Sequence, residues 1–277
     1  MFSDILVPLM NVPDDESGAI LERIAATAAT LGGAVSGIAV EIEYAQPVYM
    51  YADAVVFMSQ AFKDAQSLNH ARVEALVRHF EEQAGFAGVA SESEIVGAGA
   101  GDVPGLLAQR ARLHDLTMFV LDDDDPYARN CVEGVVFGSG RPVLVLPRAA
   151  PAAAMKKIVV AWDFSREAAR AFADAMPVLR QAESVTVLHV TDDGASWHPG
   201  AKALERHLAR LDIGASYVQT ARGTASVDEA LEAHASHNGA DLIVMGAYGH
   251  SRLREFVLGG VTRAILKAPA MPVLLSH

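Results

Sequence analysis

A chain that repeats one pattern must solve the same packing problem twice, and this sequence repeats itself. Asp4-Ile-Leu-Val-Pro-Leu9 resembles Lys157-Ile-Val-Val-Ala-Trp162. Asp115-Leu-Thr-Met-Phe-Val120 resembles Asp241-Leu-Ile-Val-Met-Gly246, and Arg141-Pro-Val-Leu-Val-Leu146 resembles Met271-Pro-Val-Leu-Leu-Ser276. The three pairs occur in the same order. Between the halves, Ala149–Met155 is a run of small residues with one proline, as suits a linker. The expected domains are 1–148 and 156–277.

Within each half, short β-rich runs alternate with helical patterns. In the second half, Lys157–Trp162, Val185–Val190, Ser216–Thr220, Asp241–Gly246 and Pro272–Leu275 read as strands. Ser165–Arg180, Gly200–Leu211 and Val227–His237 read as helices, and Leu253–Lys267 contains the last one. Such alternation implies right-handed βαβ units. The fold class is α/β, with two similar doubly wound domains of mostly parallel five-stranded sheets. The first half carries one enlargement, Tyr44–Phe62, read as a helical insertion leading into a long helix through Gln83. A membrane-contacting loop is the alternative there, weakened by Asp53 within the apolar run.

With 277 residues and 51% hydrophobic content, the chain can bury a core in each half, which excludes a mainly disordered protein. A net charge of −12 argues against nucleic acid as a partner. The single cysteine, Cys131, forms no internal disulfide and supplies no zinc cluster. Residues 24–40 are uncharged but rich in Ala and Thr and interrupted by Gly32-Gly33. They read as a helix end, a turn and a strand rather than a membrane span. The beginning of the chain lacks the pattern of a secretory signal, and the expected location is the cytoplasm.

The most informative segment runs from Gly246 to Thr262. It begins where a strand ends and finishes where a helix begins. Gly246 and Gly249 allow a sharp turn and close approach of backbone to a ligand. Gly259-Gly260 at the helix start can offer backbone N–H groups to an anion, with the hydroxyl of Thr262 beside them. Asp163 ends the first strand of this half. In open α/β sheets ligands bind beyond the carboxyl ends of strands, where the strand order reverses. If strands one and four are neighbours, Asp163 and Gly246 face one crevice, and the carboxylate can accept from a ribose. The competing role for Asp163 is the N-cap of the next helix.

These residues resemble the universal stress protein family in its tandem, two-domain form. The family pattern Gly-x2-Gly-x9-Gly followed by Ser or Thr is met here by Gly246, Gly249 and Gly259. Asp163 and His189-Val190 add to the likeness, which covers the second half; the first half is similar in strand order and through its repeat relation, with weaker motifs. The resemblance implies a Rossmann-like, adenine nucleotide alpha hydrolase-like fold. It also implies ATP or another adenine nucleotide in the second half, with Mg²⁺ as a companion ion left open. By that analogy Ala161, Asp163 and Val190 line the adenosine, while Met245, Gly246 and Gly249 hold the ribose and first phosphates. Gly259, Gly260, Val261 and Thr262 hold the remaining phosphates. One departure stands out: Gly260 occupies the position of the Ser or Thr, so one hydroxyl contact is lost.

Setting Asp115 against Asp241 without gaps places Val120 opposite Gly246, Asp123 opposite Gly249 and Glu133 opposite Gly259. Setting Ile5 against Ile158 places Met10 opposite Asp163. Side chains and the acidic run Asp122–Asp125 then occupy the first-half site, so no nucleotide is expected there. The run is either a solvated loop or a site for a hard cation, the former favoured because no EF-hand spacing is present.

His234 and His237 on one helix lack a metalloprotease motif and read as surface histidines. His250 is a candidate for a phosphate contact or an acid, with loop capping as the alternative, and Arg252, Arg254 and Arg263 are candidates to neutralise phosphate charge or form a solvated helix face. No metal site and no catalytic residue is assigned. The resemblance implies an internal pseudo-dimer with Pro142–Leu146 and Pro272–Leu275 at its contact; a further homodimer stays open. The expected function is a nucleotide-responsive stress protein with an unidentified protein partner. The alternatives are a scaffold without nucleotide and a slow ATPase.

Overall fold

The computed structural model describes residues 2–10, 17–43, 52–148, 154–192, 197–247 and 260–277, without the side chains of residues 17 and 52–65. In the first half, strands β1 (Asp4–Leu9), β2 (Ala34–Ile42), β3 (Ser91–Ala98), β4 (Leu116–Leu121) and β5 (Val143–Pro147) alternate with four helices. These are α1 (Ser17–Leu31), α2 (Ala52–Phe86), α3 (Val103–Ala111) and α4 (Pro126–Ser139). The second half has β6 (Lys157–Ala161), β7 (Ser184–Thr191), β8 (Ala215–Ala221), β9 (Leu242–Gly246) and β10 (Val273–Ser276). Its helices are α5 (Arg166–Asp174), α6 (Met176–Leu179), α7 (Ala201–Leu211), α8 (Val227–His237) and α9 (Gly260–Lys267).

The expected helix Ser165–Arg180 is broken into α5 and α6. Pro177 has no N–H to continue the ladder of α5 and is tolerated only in the first turn of a helix, so α5 ends at Asp174 and the chain restarts at Met176. The predicted enlargement of the first half is α2, at 35 residues against 11 for its counterpart α7. Residues 44–51 of the predicted insertion lie outside the described residues. Among the described residues, no helix is long and apolar enough to cross a membrane.

The ten strands form one sheet in the order β3-β2-β1-β4-β5-β10-β9-β6-β7-β8. Each half reads 3-2-1-4-5 outward from its edge, and the halves meet where β5 and β10 pair antiparallel. Val145 lies opposite Val273, Leu144 opposite Leu274 and Val143 opposite Leu275. Every other strand pair is parallel. Parallel strands covered on both faces need apolar side chains at nearly every position. β5 and β10 are buried throughout, whereas the edge strands β3 and β8 are largely open.

Because side chains alternate across a strand, the sheet divides its residues between two cores. Ile5, Val7, Leu144, Ile158, Val160 and Leu274 face α1, α2, α5 and α7. Leu6, Val143, Val145, Val159, Ile243 and Val273 face α3, α4, α8 and α9. Each core draws residues from both halves, so the apolar layers run unbroken across the β5–β10 seam.

Candidate functional site

In the second half, β6 lies between β9 and β7. Pairing of β6 to β9 extends from Ile158–Leu242 to Val160–Val244, short of the strand ends at Ala161 and Gly246. The strands part there, and the chain leaves β6 towards α5 and β7. A crevice beyond the carboxyl ends is the consequence. It holds a cavity of about 630 Å³, within the range of small-molecule sites.

Eight of the ten residues singled out in the sequence line this cavity: Ala161, Asp163, Val190, Met245, Gly246, Gly260, Val261 and Thr262. Gly249 and Gly259 lie outside the described residues, as do His250, Arg252 and Arg254. Trp162, Ser165, His189, Thr191 and Asp192 complete the polar and aromatic part of the wall, and Leu188, Val227 and Leu231 part of the apolar remainder. The lining described here contains two carboxylates and neither Lys nor Arg.

Local chemistry positions these groups. Ser165, not Asp163, is the N-cap of α5: its hydroxyl accepts from the Ala168 N–H at 3.0 Å. Asp163 stands two residues earlier, where its Oδ1 accepts from the Ser165 N–H at 2.9 Å and closes a tight turn. Between them Phe164 adopts φ 62°, a left-handed conformation that costs a bulky residue on the order of 1–3 kcal/mol. Gly246 has a different reason for being glycine than close approach to a ligand. A Cβ there would meet the backbone of Glu167 and Ala168 at 2.5 Å, so its bare Cα lets β9 touch the first turn of α5. At Gly260 the opposite holds, for among the described residues a Cβ would meet nothing within 4 Å. Thr262 is buried beside it, 3% exposed.

A cluster that the sequence reading did not find borders the cavity. The ring of Phe164 stacks on His198 with centroids 3.6 Å apart, and Phe164 lies 5.3 Å from His189. Trp162 and Tyr217 approach Phe164 edge-on at 5.9 and 6.4 Å. Burial holds the His189 imidazole below its usual pKa, with His198 acting in the same direction and Asp163 opposing. The members come from four separate segments, so no spacing in the chain announces them; only His189 drew attention, through its family likeness.

The corresponding place in the first half is far smaller, a hollow of about 70 Å³. Strand registers show the correspondence. Ile5 pairs with Leu116 as Ile158 pairs with Leu242, and Val120 faces Leu146 as Gly246 faces Ser276. Val120 thus stands where Gly246 does, and both Val120 and Met10 line the hollow. Arg148 reaches across it to pair with Asp122 at 2.7 Å, and its carbonyl accepts from Arg23 Nη1.

The acidic run has structural employment. Asp125 caps α4, its Oδ1 accepting from Tyr127 and Ala128 N–H at 2.9 and 3.0 Å. Asp124, at φ 56°, donates its backbone N–H to the carbonyl of Lys267 at the end of α9, 2.9 Å away. Among the described residues no group of three or more His, Cys, Asp or Glu is placed to hold a metal ion.

Residues 155–277 match the universal stress protein family. A universal stress protein of a Synechocystis species is 43% identical over 47 residues, which are 17% of this chain and 16% of that relative's length. A universal stress protein from Archaeoglobus fulgidus shares the fold over 99% of this chain and 97% of its own, with a TM-score of 0.72 at 16% identity. A universal stress protein from Pseudomonas aeruginosa covers 99% of this chain and 93% of its own, with a TM-score of 0.52 at 14% identity. The C-terminal half, which holds the crevice, is thus the part that matches the family, and the fold is shared with these solved structures over nearly the whole length.

Proposed function

We propose that the second half binds an adenine nucleotide, ATP or a close relative, and that the protein acts as a stress-response regulator presenting its ligand state to a protein partner. The observation that carries this reading is the convergence of Ala161, Asp163, Val190 and Met245 with Gly246 and the Gly260–Thr262 turn on one cavity of about 630 Å³. The pieces suit the parts of such a ligand. Ala161 and Val190 offer an apolar flank for a base, Asp163 an acceptor for ribose hydroxyls, and the first turn of α9 backbone N–H groups for phosphate. The two carboxylates in the wall favour an accompanying cation such as Mg²⁺ when several phosphates are bound. In the first half the equivalent space is closed by Val120, Met10 and the Arg148–Asp122 pair. That half serves as a structural and interaction partner.

The reading is tested by mass spectrometry of the denatured purified protein together with calorimetric titration of ATP, ADP and AMP, with and without Mg²⁺. One adenine nucleotide per chain is expected. Silent titrations with all three, on a protein that carries none from the cell, would leave a scaffold without nucleotide as the function.

A further inference from the structure

We infer that His198 and His189 form a proton-operated latch on the wall of the cavity. This regulation rests on the nucleotide proposal for its effect on affinity, but the latch itself can be observed without ligand.

The hydrogen bonds around His198 require its neutral form. The Gly200 N–H donates to Nδ1 of His198 at 3.1 Å, so that nitrogen presents a lone pair. The His198 backbone N–H donates to Oε1 of Gln219 at 3.1 Å, and the Tyr217 hydroxyl donates to the same oxygen. These bonds tie the segment before α7 to β8 and press the imidazole onto Phe164. A proton on Nδ1 sets one donor against another and leaves the Gly200 N–H without its acceptor.

His189 makes the proton still less welcome. Its ring lies 5.5 Å from that of His198, and its Nδ1 is buried with no hydrogen-bond partner among the described residues. Charging both rings places two cations side by side. Among the described residues, the other charged and titratable groups beside the cluster include Asp163 after β6, Tyr217 on β8 with Glu205 of α7 behind it, and Asp192, which lines the cavity with His189 and pairs with Arg222 at 2.6 Å. Attraction of an imidazolium to Asp163 and to the face of Phe164 works against opening. Neither restores an acceptor to Gly200.

The consequence reaches the cavity through Phe164. The residue with the left-handed backbone is the one stacked on His198, and Asp163 precedes it directly. With a lone pair on Nδ1 of His198 the latch is closed and Asp163 keeps its turn. A proton on that nitrogen removes the bond to Gly200 and loosens the stack, so that Phe164 is released. Nucleotide affinity falls with them.

Both tryptophans of the chain report on this cluster, Trp162 edge-on to Phe164 and Trp197 at 5.4 Å from Tyr217. Tryptophan emission of the ligand-free full chain, followed from about pH 8 to about pH 5 beside far-UV circular dichroism, tests the latch across the titration range of imidazole. A reversible emission change at constant helicity is expected. His198→Gln, which keeps an acceptor and takes up no proton, is expected to flatten it. Flat wild-type emission, an unaltered change in His198→Gln, or a change that coincides with loss of helicity would overturn the latch. In the second arm, ATP affinity should fall about tenfold further over the same range in the wild type than in His198→Gln, the variant keeping only the dependence that comes from the ligand's own phosphate. Equal pH dependence in the two proteins counts against the coupling, whereas absence of ATP binding at every pH rejects the nucleotide reading and leaves the emission result standing.

Discussion

A Cβ added to Gly246 would lie 2.5 Å from the backbone nitrogen of Ala168. The end of β9 and the start of α5 are therefore in direct main-chain contact, and this contact forms one wall of the cavity. Neither partner is the flexible tip of a side chain, so neither can yield cheaply.

Gly246→Ala is accordingly a stability variant before it is a binding variant. It should cost about 1–3 kcal/mol, the range for overpacking a tight site. Chemical denaturation of the ligand-free protein measures it. A midpoint equal to that of the wild type would mean that β9 and α5 stand further apart than described.

Gly260 is the cleaner probe of binding. Nothing described stands within 4 Å of a Cβ there, and a side chain in place of glycine favours the helix. Gly260→Ser should leave stability unchanged or slightly raised while restoring a hydroxyl donor beside the proposed phosphates. One regained hydrogen bond to a charged group, roughly 1.5–3 kcal/mol, corresponds to about tenfold or more in ATP affinity by calorimetry. A weaker complex would place the phosphates elsewhere.

In the first half, Asp125→Ala removes the carboxylate that receives the Tyr127 and Ala128 N–H groups. Loss of this cap should cost about 1 kcal/mol, read from the urea midpoint, without any gain of a second nucleotide. A stoichiometry of two in this variant would show that the acidic run, rather than Val120 and Met10, closes that half.

Burial holds the Glu232 carboxyl above its usual pKa; Asp228 pushes the same way, and a hydrogen bond from the Ala270 N–H opposes both. The folded state then holds this proton more tightly than the unfolded chain, so stability is lost as the pH rises through the folded pKa. Glu232→Gln, which keeps an acceptor for Ala270, should be at least as stable as the wild type near pH 7. The difference should shrink as the pH falls and vanish near about pH 3, below the unfolded pKa, where the carboxyl is neutral in both states. Denaturation midpoints at the two pH values decide it.

Cys131 is fully buried in α4, and desolvation pushes its thiol up to about 12. Native protein should react with a thiol reagent only as fast as it opens, and denatured protein at once. Rapid modification of the native state would place α4 closer to solvent.

Much of this protein is written locally. The likeness of Asp4–Leu9 to Lys157–Trp162 and of Asp115–Val120 to Asp241–Gly246 reflects strands buried on both faces. Burial on both faces demands apolar residues at consecutive positions whatever surrounds them. The gapless alignments made from those runs agree with the strand registers, since Val120 and Gly246 hold the same place beside β5 and β10. Cavity-lining residues at strand ends were legible for the same reason: the end of a β-rich run marks where a crevice must lie.

What the chain could not announce depends on partners far along it. Asp163 and Ser165 both suit an N-cap by composition, and the path of the backbone through Phe164 gave that role to Ser165. Gly246 reads as glycine in any account, but only the approach of α5 says which atoms exclude a side chain. Carboxylates at Asp122–Asp125 look alike in sequence, and their division between a helix cap and an ion pair with Arg148 follows from what folds against them. The His189–Phe164–His198 cluster draws on segments separated by tens of residues, and ring contacts of that kind are set by tertiary packing alone. Local patterns determined the strands, their faces and the placing of the candidate site; distances between remote side chains, which no periodicity encodes, decided which groups line it.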